Sequence, residues 1–218
     1  MRIVEQSAKI VIATPNALEL IIQAARCCYQ SHDRNEDLPA FDRQQADARL
    51  IKKLIDSGHH SVLEHASFTA RFVTDRATTH EMVRHRLASF SQESTRYCRY
   101  VLPDGDGHIT VVWPFLFGAM PEGLMGITPM QMIWAASCEA AEKAYESMLK
   151  ASASPQLARK VLPQSLKAEI WVTANFREWR HIFNLRCSKA ADPQISALMW
   201  ELRHQAIDRW PTIFSPAE

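Results

Sequence analysis

The 218-residue chain is poor in glycine, with only six, at positions 58, 105, 107, 118, 123 and 126. Their spacing forms neither the GxGxxG turn of a doubly wound dinucleotide fold nor a GxxxxGK[ST] phosphate loop. Any bound dinucleotide must therefore be held by side chains and loop amides. The five cysteines, Cys27, Cys28, Cys98, Cys138 and Cys187, contain no CxxC pair. This argues against a zinc ribbon and suits mostly buried, reduced thiols in a cytosolic chain. No apolar run reaches 18 residues and Met1-Arg2-Ile3 opens no signal-peptide pattern, so a cytoplasmic protein with no membrane partner is expected. Excess charge is lacking too. At a net charge of +1, no overall field draws the chain to nucleic acid or membrane.

What is present is a 47% hydrophobic fraction and six tryptophans, enough to bury a core in one globular domain spanning 1–218. Arg2 to Ala13 alternates loosely, as an edge strand does. Thr14-Pro15 reads as a cap and first position of a helix running to about Tyr29, and Ser31 to Pro39 as an acidic loop. A second helix covers Phe41 to Asp56, with Gly58 as its C-terminal cap. Phe68, Ala70 and Phe72 alternate with polar residues in a half-buried strand. Asp75 then caps a helix reaching through Met82 to about Arg86. Asp104-Gly105-Asp106-Gly107 is a turn signal, so Tyr97 to Trp113 reads as a hairpin. Trp113 to Gly126 reads as a packed loop.

Thr128-Pro129-Met130-Gln131 is a capping box that opens a helix to about Ala151, with a core stripe of Ile133, Ala136, Ala140, Ala144 and Met148. Ser154-Pro155 opens another helix. Leu166 to Ala174 alternates as a long strand, and Asn175 leads into a helix carrying Phe176, Trp179 and Phe183. On that helix Arg177 and His181 share a face, and Arg186 lies in the last turn, where the dipole favours a cation. Asp192-Pro193 starts the last helix, which ends before Pro211. The element order makes the fold class α+β.

The stretch Arg84 to Tyr97, RHRLASFSQESTRY, sustains no helical stripe and reads as a loop built to hold an anion. Six arginines and no lysine lie between Arg71 and Arg99. Guanidinium forks recognise phosphate, carboxylate or a pyrimidine edge through paired hydrogen bonds. A solvated, salt-bridged surface loop is the competing reading of the same residues. Upstream, His59, His60, Glu64 and His65 crowd together, yet no HExxH or second ligand set accompanies them, so no metal is expected. His80-Glu81-Met82-Val83-Arg84 ends in arginine where a second histidine would be needed.

Arg84-His85-Arg86, seven residues, then Ser94 resembles the signature of flavin-dependent thymidylate synthase, and Gln92 to Tyr97 extends the likeness. Two further blocks match in order, Gly58 to His65 and Ala158-Arg159…Leu162-Pro163, so the resemblance spans roughly Ala24 to Ala206. It implies a family-specific fold with a central, mostly antiparallel sheet flanked by helices. It also implies a homotetramer that shares flavin sites between subunits. The implied reaction is reductive methylation of dUMP to dTMP, with methylenetetrahydrofolate as carbon donor and NADPH-reduced FAD as hydride source.

Carried over by position, His59, Ser61, Glu64, Arg84, His85, Arg86, Asn175, Arg177 and His181 should line FAD. Glu81, Arg84, Gln92, Glu93, Ser94, Arg96, Arg159 and Arg186 should bind dUMP. Arg186 matches the residue that promotes ionisation at uracil N3, and Ser94 is the second catalytic candidate. Ser94 reads either as a hydroxyl donor to the pyrimidine or as a nucleophile, which would need an adjacent base. Glu81 stands where many members carry Gln, and Cys28 where a small hydroxyl residue is common.

Two other function classes compete. A nucleic-acid module would use the arginines with Phe90, Tyr97 and Tyr100 for stacking. A metallohydrolase would use His59, His60 and His65. Neither explains three ordered blocks, and nucleic acid is not an expected partner.

Overall fold

The computed structural model describes residues 1–28, 30–31, 37–101, 107–121 and 127–215. Its centre is a pair of nine-residue strands, β3 (Ser67–Asp75) and β6 (Lys167–Asn175). They pair antiparallel without a register shift, from Ser67 opposite Asn175 to Asp75 opposite Lys167. Alternation fixes the register, because a one-residue slip would turn every buried side chain to the other face. Phe68, Ala70 and Phe72 face one core with Ala168, Ile170, Val172 and Ala174. On the opposite face Thr69 and Thr173 share a 2.8 Å hydrogen bond and Arg71 pairs with Glu169 at 2.5 Å.

Both strands end on a residue that caps the next helix. Asp75 accepts from the Thr78 amide at 2.7 Å to start α3 (Arg76–Met82), and Asn175 accepts from the Glu178 amide at 2.9 Å to start α6 (Phe176–Arg186). Each cap satisfies an amide that the first helical turn leaves without a partner. The strands are antiparallel, so the two helices begin at opposite ends of the ladder. They run toward each other and meet at their C-termini.

β2 (Ser7–Ala13) flanks β3 and β4 (Ala88–Gln92) flanks β6, giving the sheet order β2-β3-β6-β4. β1 (Arg2–Val4) pairs in parallel with β5 (Thr110–Val112). Helices α1 (Ala17–Cys27), α2 (Ala40–Asp56), α6, α7 (Pro193–Arg209) and α8 (Pro211–Phe214) join the main core. Its centre is aromatic. Phe68 stacks on Trp179 with ring centres 4.5 Å apart, and the Trp179 indole N–H donates to the Phe68 carbonyl at 3.0 Å. A second core joins Ile109 and Val111 to Cys138 and Tyr145 of α4 (Pro129–Lys150) and Ala158 of α5 (Pro155–Ala158). Among the described residues no helix is long and apolar enough to cross a membrane.

Several expectations need correction. Arg84 to Tyr97 is not all loop, since Ala88–Gln92 adds an antiparallel strand to β6. Among the described residues no hairpin joins Tyr97 to Trp113: Tyr97, Tyr100 and Val101 lie in turns, Cys98 and Arg99 in no regular element, and β5 finds its partner in β1, over 100 residues earlier. The turn residues 104–106, residues 32–36 of the acidic loop and residues 122–126 lie outside the described residues, as does Tyr29; the first helix, expected to run to about Tyr29, ends at Cys27. Arg2 to Ala13 is two strands with a bulge between Ile10 and Ile12, and β2 is the edge strand. Helix α1 starts after Asn16, in the left-handed region at φ 49°, rather than at Thr14, whose hydroxyl bonds Ser67 instead. Helix α3 stops at Met82, short of Arg86.

On α4 the capping box forms in both directions. The buried face, however, carries Gln131, Cys138 and Tyr145, and Ile133, Ala136 and Ala140 of the expected stripe are exposed. Ser154 makes no side-chain cap bond, although Pro155 does open α5.

Candidate active site

Helix α6 carries a row of polar groups that meet other elements at its two ends. At its start, Arg177 Nη1 donates to Glu64 Oε1 at 2.5 Å. Glu64 lies in the 3₁₀ segment His60–His65, which α2 feeds through a tight closure at Gly58. Gly58 has φ 75° and donates to the Ile55 carbonyl at 3.0 Å, while the His59 amide reaches the Leu54 carbonyl at 2.8 Å. This paired closure ends the helix and requires the left-handed region that glycine tolerates. It leaves His59 and Ser61 on the wall of a cavity of about 320 Å³ that Arg177 and Cys28 also line. An adjoining cavity of about 570 Å³ shares His59 and adds Arg49 and Lys53.

At the other end of α6, Arg186 is held by three acceptors. Nε donates to His85 Nε2 at 3.0 Å, Nη1 to Glu81 Oε2 at 2.6 Å, and Nη2 to the Glu81 carbonyl at 3.1 Å. Two helix C-termini converge here, and their partial negative charge favours the cation. His85 is buried, and its pKa is lowered to about 4 by burial first, then by Arg186 and His181. It is neutral at ordinary pH, so its Nε2 lone pair can accept and the remaining proton sits on Nδ1. His181 closes the group with its ring edge-on to His85, centres 6.4 Å apart.

Glu178, one turn before His181 on the same helix, is a neighbour that the sequence reading missed. It is buried, and burial raises its pKa, opposed by His181. The signal for it was available in its i, i+3 spacing to His181. The possible ligand atoms of His85, Glu178 and His181 all lie within 4.8 Å of one another. Arg186 already takes the His85 Nε2 lone pair and sets a positive charge beside it, which opposes a divalent cation. Of the histidines weighed earlier, His60 is bonded through Nε2 to the Ile55 carbonyl at 3.1 Å.

The signature segment divides into anchored and outward parts. Gln92 donates to the Thr79 hydroxyl at 2.9 Å, and Glu93 pairs with Lys167 at 2.7 Å while its amide donates to the Glu169 carbonyl. These contacts fix where β4 ends. Ser94 Oγ accepts from the Arg96 amide at 3.3 Å, and Arg96 lies 5.5 Å over the exposed Tyr97 ring. Among the described residues no base is hydrogen-bonded to Ser94. Arg159 Nη1 donates to the Thr95 hydroxyl at 3.3 Å. Arg84 and Arg86 are exposed, with no side-chain partner among the described residues.

The sequence-derived candidates thus fall into three groups. His59, Ser61, Glu64, Asn175 and Arg177 gather at the start of α6; Glu81, His85, His181 and Arg186 at its end; and Gln92, Glu93, Ser94, Arg96 and Arg159 around the end of β4. Within the described chain no side-chain hydrogen bond joins the third group to the second. A cavity walled by His59, Ser61 and Arg177 offers ring nitrogens, a hydroxyl and a guanidinium to a polar ligand.

Known proteins share this arrangement of sequence. The family described as Thy1, thymidylate synthase complementing protein, matches residues 9–212. A flavin-dependent thymidylate synthase of Mycobacterium avium (strain 104) is 34% identical over 216 residues, covering 91% of this chain and 79% of that one. One from Geobacter sulfurreducens is 35% identical over 208 residues, covering 94% and 83%. Among solved structures, a UMP/dUMP methylase, PolB from Streptomyces cacaoi, bound with 5-Br dUMP, superposes with a TM-score of 0.79. That match covers 98% of this chain and 95% of the other at 23% identity, which establishes the shared fold. The chain belongs to the Thy1 family, the flavin-dependent thymidylate synthases, and is an enzyme.

Proposed function

We propose that this chain converts dUMP to dTMP by reductive methylation, taking its carbon from methylenetetrahydrofolate and its hydride from FAD reduced by NADPH. The observation that carries the reading is Arg186, a permanently charged guanidinium fixed by His85 and Glu81 at the meeting point of two helices. A uracil that must become nucleophilic at C5 gains from a fixed cation beside its ring, because negative charge is stabilised where it develops.

The donor set fits FAD. His59, Ser61 and Arg177 line one cavity, Glu64 and Asn175 hold that wall in place, and Arg84 and Arg86 offer two cations suited to a pyrophosphate. His85 and His181 complete the proposed flavin set as polar rings. When bound, FAD supplies hydride chemistry that no side chain can provide. The chain's own work is to bind and orient. Arg84, Ser94, Arg96 and Arg159 are the proposed phosphate and sugar contacts of dUMP. Gln92 and Glu93, whose side chains are already engaged, contribute through backbone, Glu93 through its carbonyl because its amide is bonded to Glu169. Glu81 and Arg186 face the ring.

The proposal extends to assembly. Residues 1–218 act as one domain in a cytoplasmic homotetramer. Leu87 and Leu116 (each 76% exposed) and Met130 and Ile133 (each 68%) form apolar surface that a partner copy would cover. Light scattering should then give a mass near four chains of 24.8 kDa.

The direct test supplies purified protein with FAD, NADPH, methylenetetrahydrofolate and dUMP, and follows dTMP by chromatography. Product that requires all four supports the reading; no product, or product without FAD, overturns it.

A further inference from the structure

Two arginines outside the groups described above share one small cavity. Arg180 of α6 and Arg203 of α7 wall a space of about 100 Å³, together with Phe183, Asn184, Phe214 and Ser215. Each gives one N–H to a carbonyl at the end of α8. Arg180 Nη1 donates to the Ile213 carbonyl, and Arg203 Nε to the Phe214 carbonyl at 3.2 Å. Arg203 also lies 5.2 Å from the Trp200 ring centre and reaches the Cys187 thiol. A guanidinium carries five N–H groups, so most of the ten remain for another partner.

The pair lacks counter-charge. Among the described residues no carboxylate forms an ion pair with either arginine. Asp56 acts on Arg180 only from a distance and is itself paired with Lys52 at 3.3 Å. Both arginines are partly buried. Burial first, and then the charge of Arg203, pulls the pKa of Arg180 down. Two like charges held together away from bulk water repel, and an oxyanion between them removes that repulsion.

We propose that the cavity between α6, α7 and the end of α8 is a binding site for a small tetrahedral oxyanion, with inorganic phosphate as its simplest ligand. At ~30 Å³ per water the cavity has room for about three waters, the scale of one such ion and too little to enclose a nucleotide. Spare N–H groups of both arginines supply charge-assisted bonds, and the Asn184 amide and Ser215 hydroxyl add neutral donors. None of these residues belongs to the proposed FAD or dUMP sets, so the inference stands apart from that reading.

Equilibrium dialysis of the full chain with labelled inorganic phosphate tests this, in wild type, Asn184→Asp and Arg203→Gln. Asn184→Asp sets a carboxylate in the cavity wall, where it pairs with the arginines and repels an added anion. Asn184 is exposed, so this variant folds even if Arg203→Gln, which gives up a bond to Phe214, does not. Phosphate held by Arg84, Arg96 or Arg159 would be the same in every protein, so the difference isolates this cavity. Wild type should bind one more phosphate per chain than Asn184→Asp.

Thermal melts in about 10 mM phosphate, against chloride of equal ionic strength, read the same event. A dissociation constant of about 1 mM predicts a rise of roughly 3 to 6 °C in wild type. Asn184→Asp should lose that increment, whereas general stabilisation by phosphate acts on both proteins alike. Without phosphate, Asn184→Asp should melt above wild type, because it supplies the missing charge itself. Equal phosphate binding in wild type and Asn184→Asp, or none in wild type, overturns the proposal and leaves both arginines as caps of α8.

Discussion

The imidazole of His85 accepts a 3.0 Å hydrogen bond from Arg186 Nε. A protonated His85 would have no lone pair at Nε2, and two cations would face each other. Burial, reinforced by Arg186 and His181, lowers its pKa to about 4, against about 6.5 in an unfolded chain. As pH falls below 6.5 the unfolded chain takes up a proton that the folded chain refuses. The stability from this group is therefore full above pH 6.5 and is lost as pH falls toward 4, by up to roughly 3 kcal/mol. Urea midpoints at pH 7 and pH 5 measure the loss. His85→Gln, which cannot titrate, should flatten that part of the profile; an unchanged slope would remove His85 as its source.

Arg186→Ala should retain FAD, because the His59–Ser61–Arg177 cavity is not among its contacts and His85, though it loses a hydrogen bond, stays buried in place. Its dTMP formation should fall at least about 100-fold, the scale of losing one preorganised donor at developing charge. Arg186→Lys should rescue little, since an ammonium cannot meet three acceptors in a fixed plane. Wild-type turnover in Arg186→Ala would take this residue out of the chemistry.

Asn175 has two atoms with separable duties. Its Oδ1 caps α6, and its amide N–H₂ is left to meet the FAD that Asn175 is expected to line. Asn175→Asp should keep the cap and melt within a few degrees of wild type, yet hold FAD less tightly. Asn175→Ala should lose both, at a cost to stability of about 1 kcal/mol. Equal FAD retention in wild type and Asn175→Asp would assign Asn175 to the cap alone.

His59→Ala and Arg86→Ala should each release flavin during desalting where wild type keeps it. Neither side chain supports the core, so melting temperatures should move by less than about 2 °C. Full flavin occupancy in both variants would contradict the proposed FAD wall.

The two central strands were legible because nine residues of strict alternation leave one register. The caps at Asp75 and Thr128 were legible because each stands just before a helical period, whereas Asn175 was read only as the end of its strand. Strand β4 was not. It has five residues between arginines and a polar loop, and its alternation of Ala88, Phe90 and Gln92 gains meaning only once β6 lies beside it. The β1–β5 pairing was hidden for the same reason, since parallel partners distant in sequence leave no local trace.

The face of α4 was misread because alanines suit either side of a helix, and the large residues Trp134 and Tyr145 decided the burial. At the site, the family resemblance put forward Arg186 and His85 as candidates, but not that each would be the other's hydrogen-bond partner. Nor did it show that Glu81, which stands beside Arg84 in sequence terms, would bind Arg186 from another helix. Those are tertiary facts, set by two helices capped at opposite ends of one strand pair.

The most direct test of a shared flavin and dUMP site is the visible spectrum of the protein incubated with FAD, desalted, and titrated with dUMP. A retained flavin band that shifts with dUMP in wild type is the predicted result. A colourless protein, or a flavin band indifferent to dUMP, would contradict the placing of both ligands in one site.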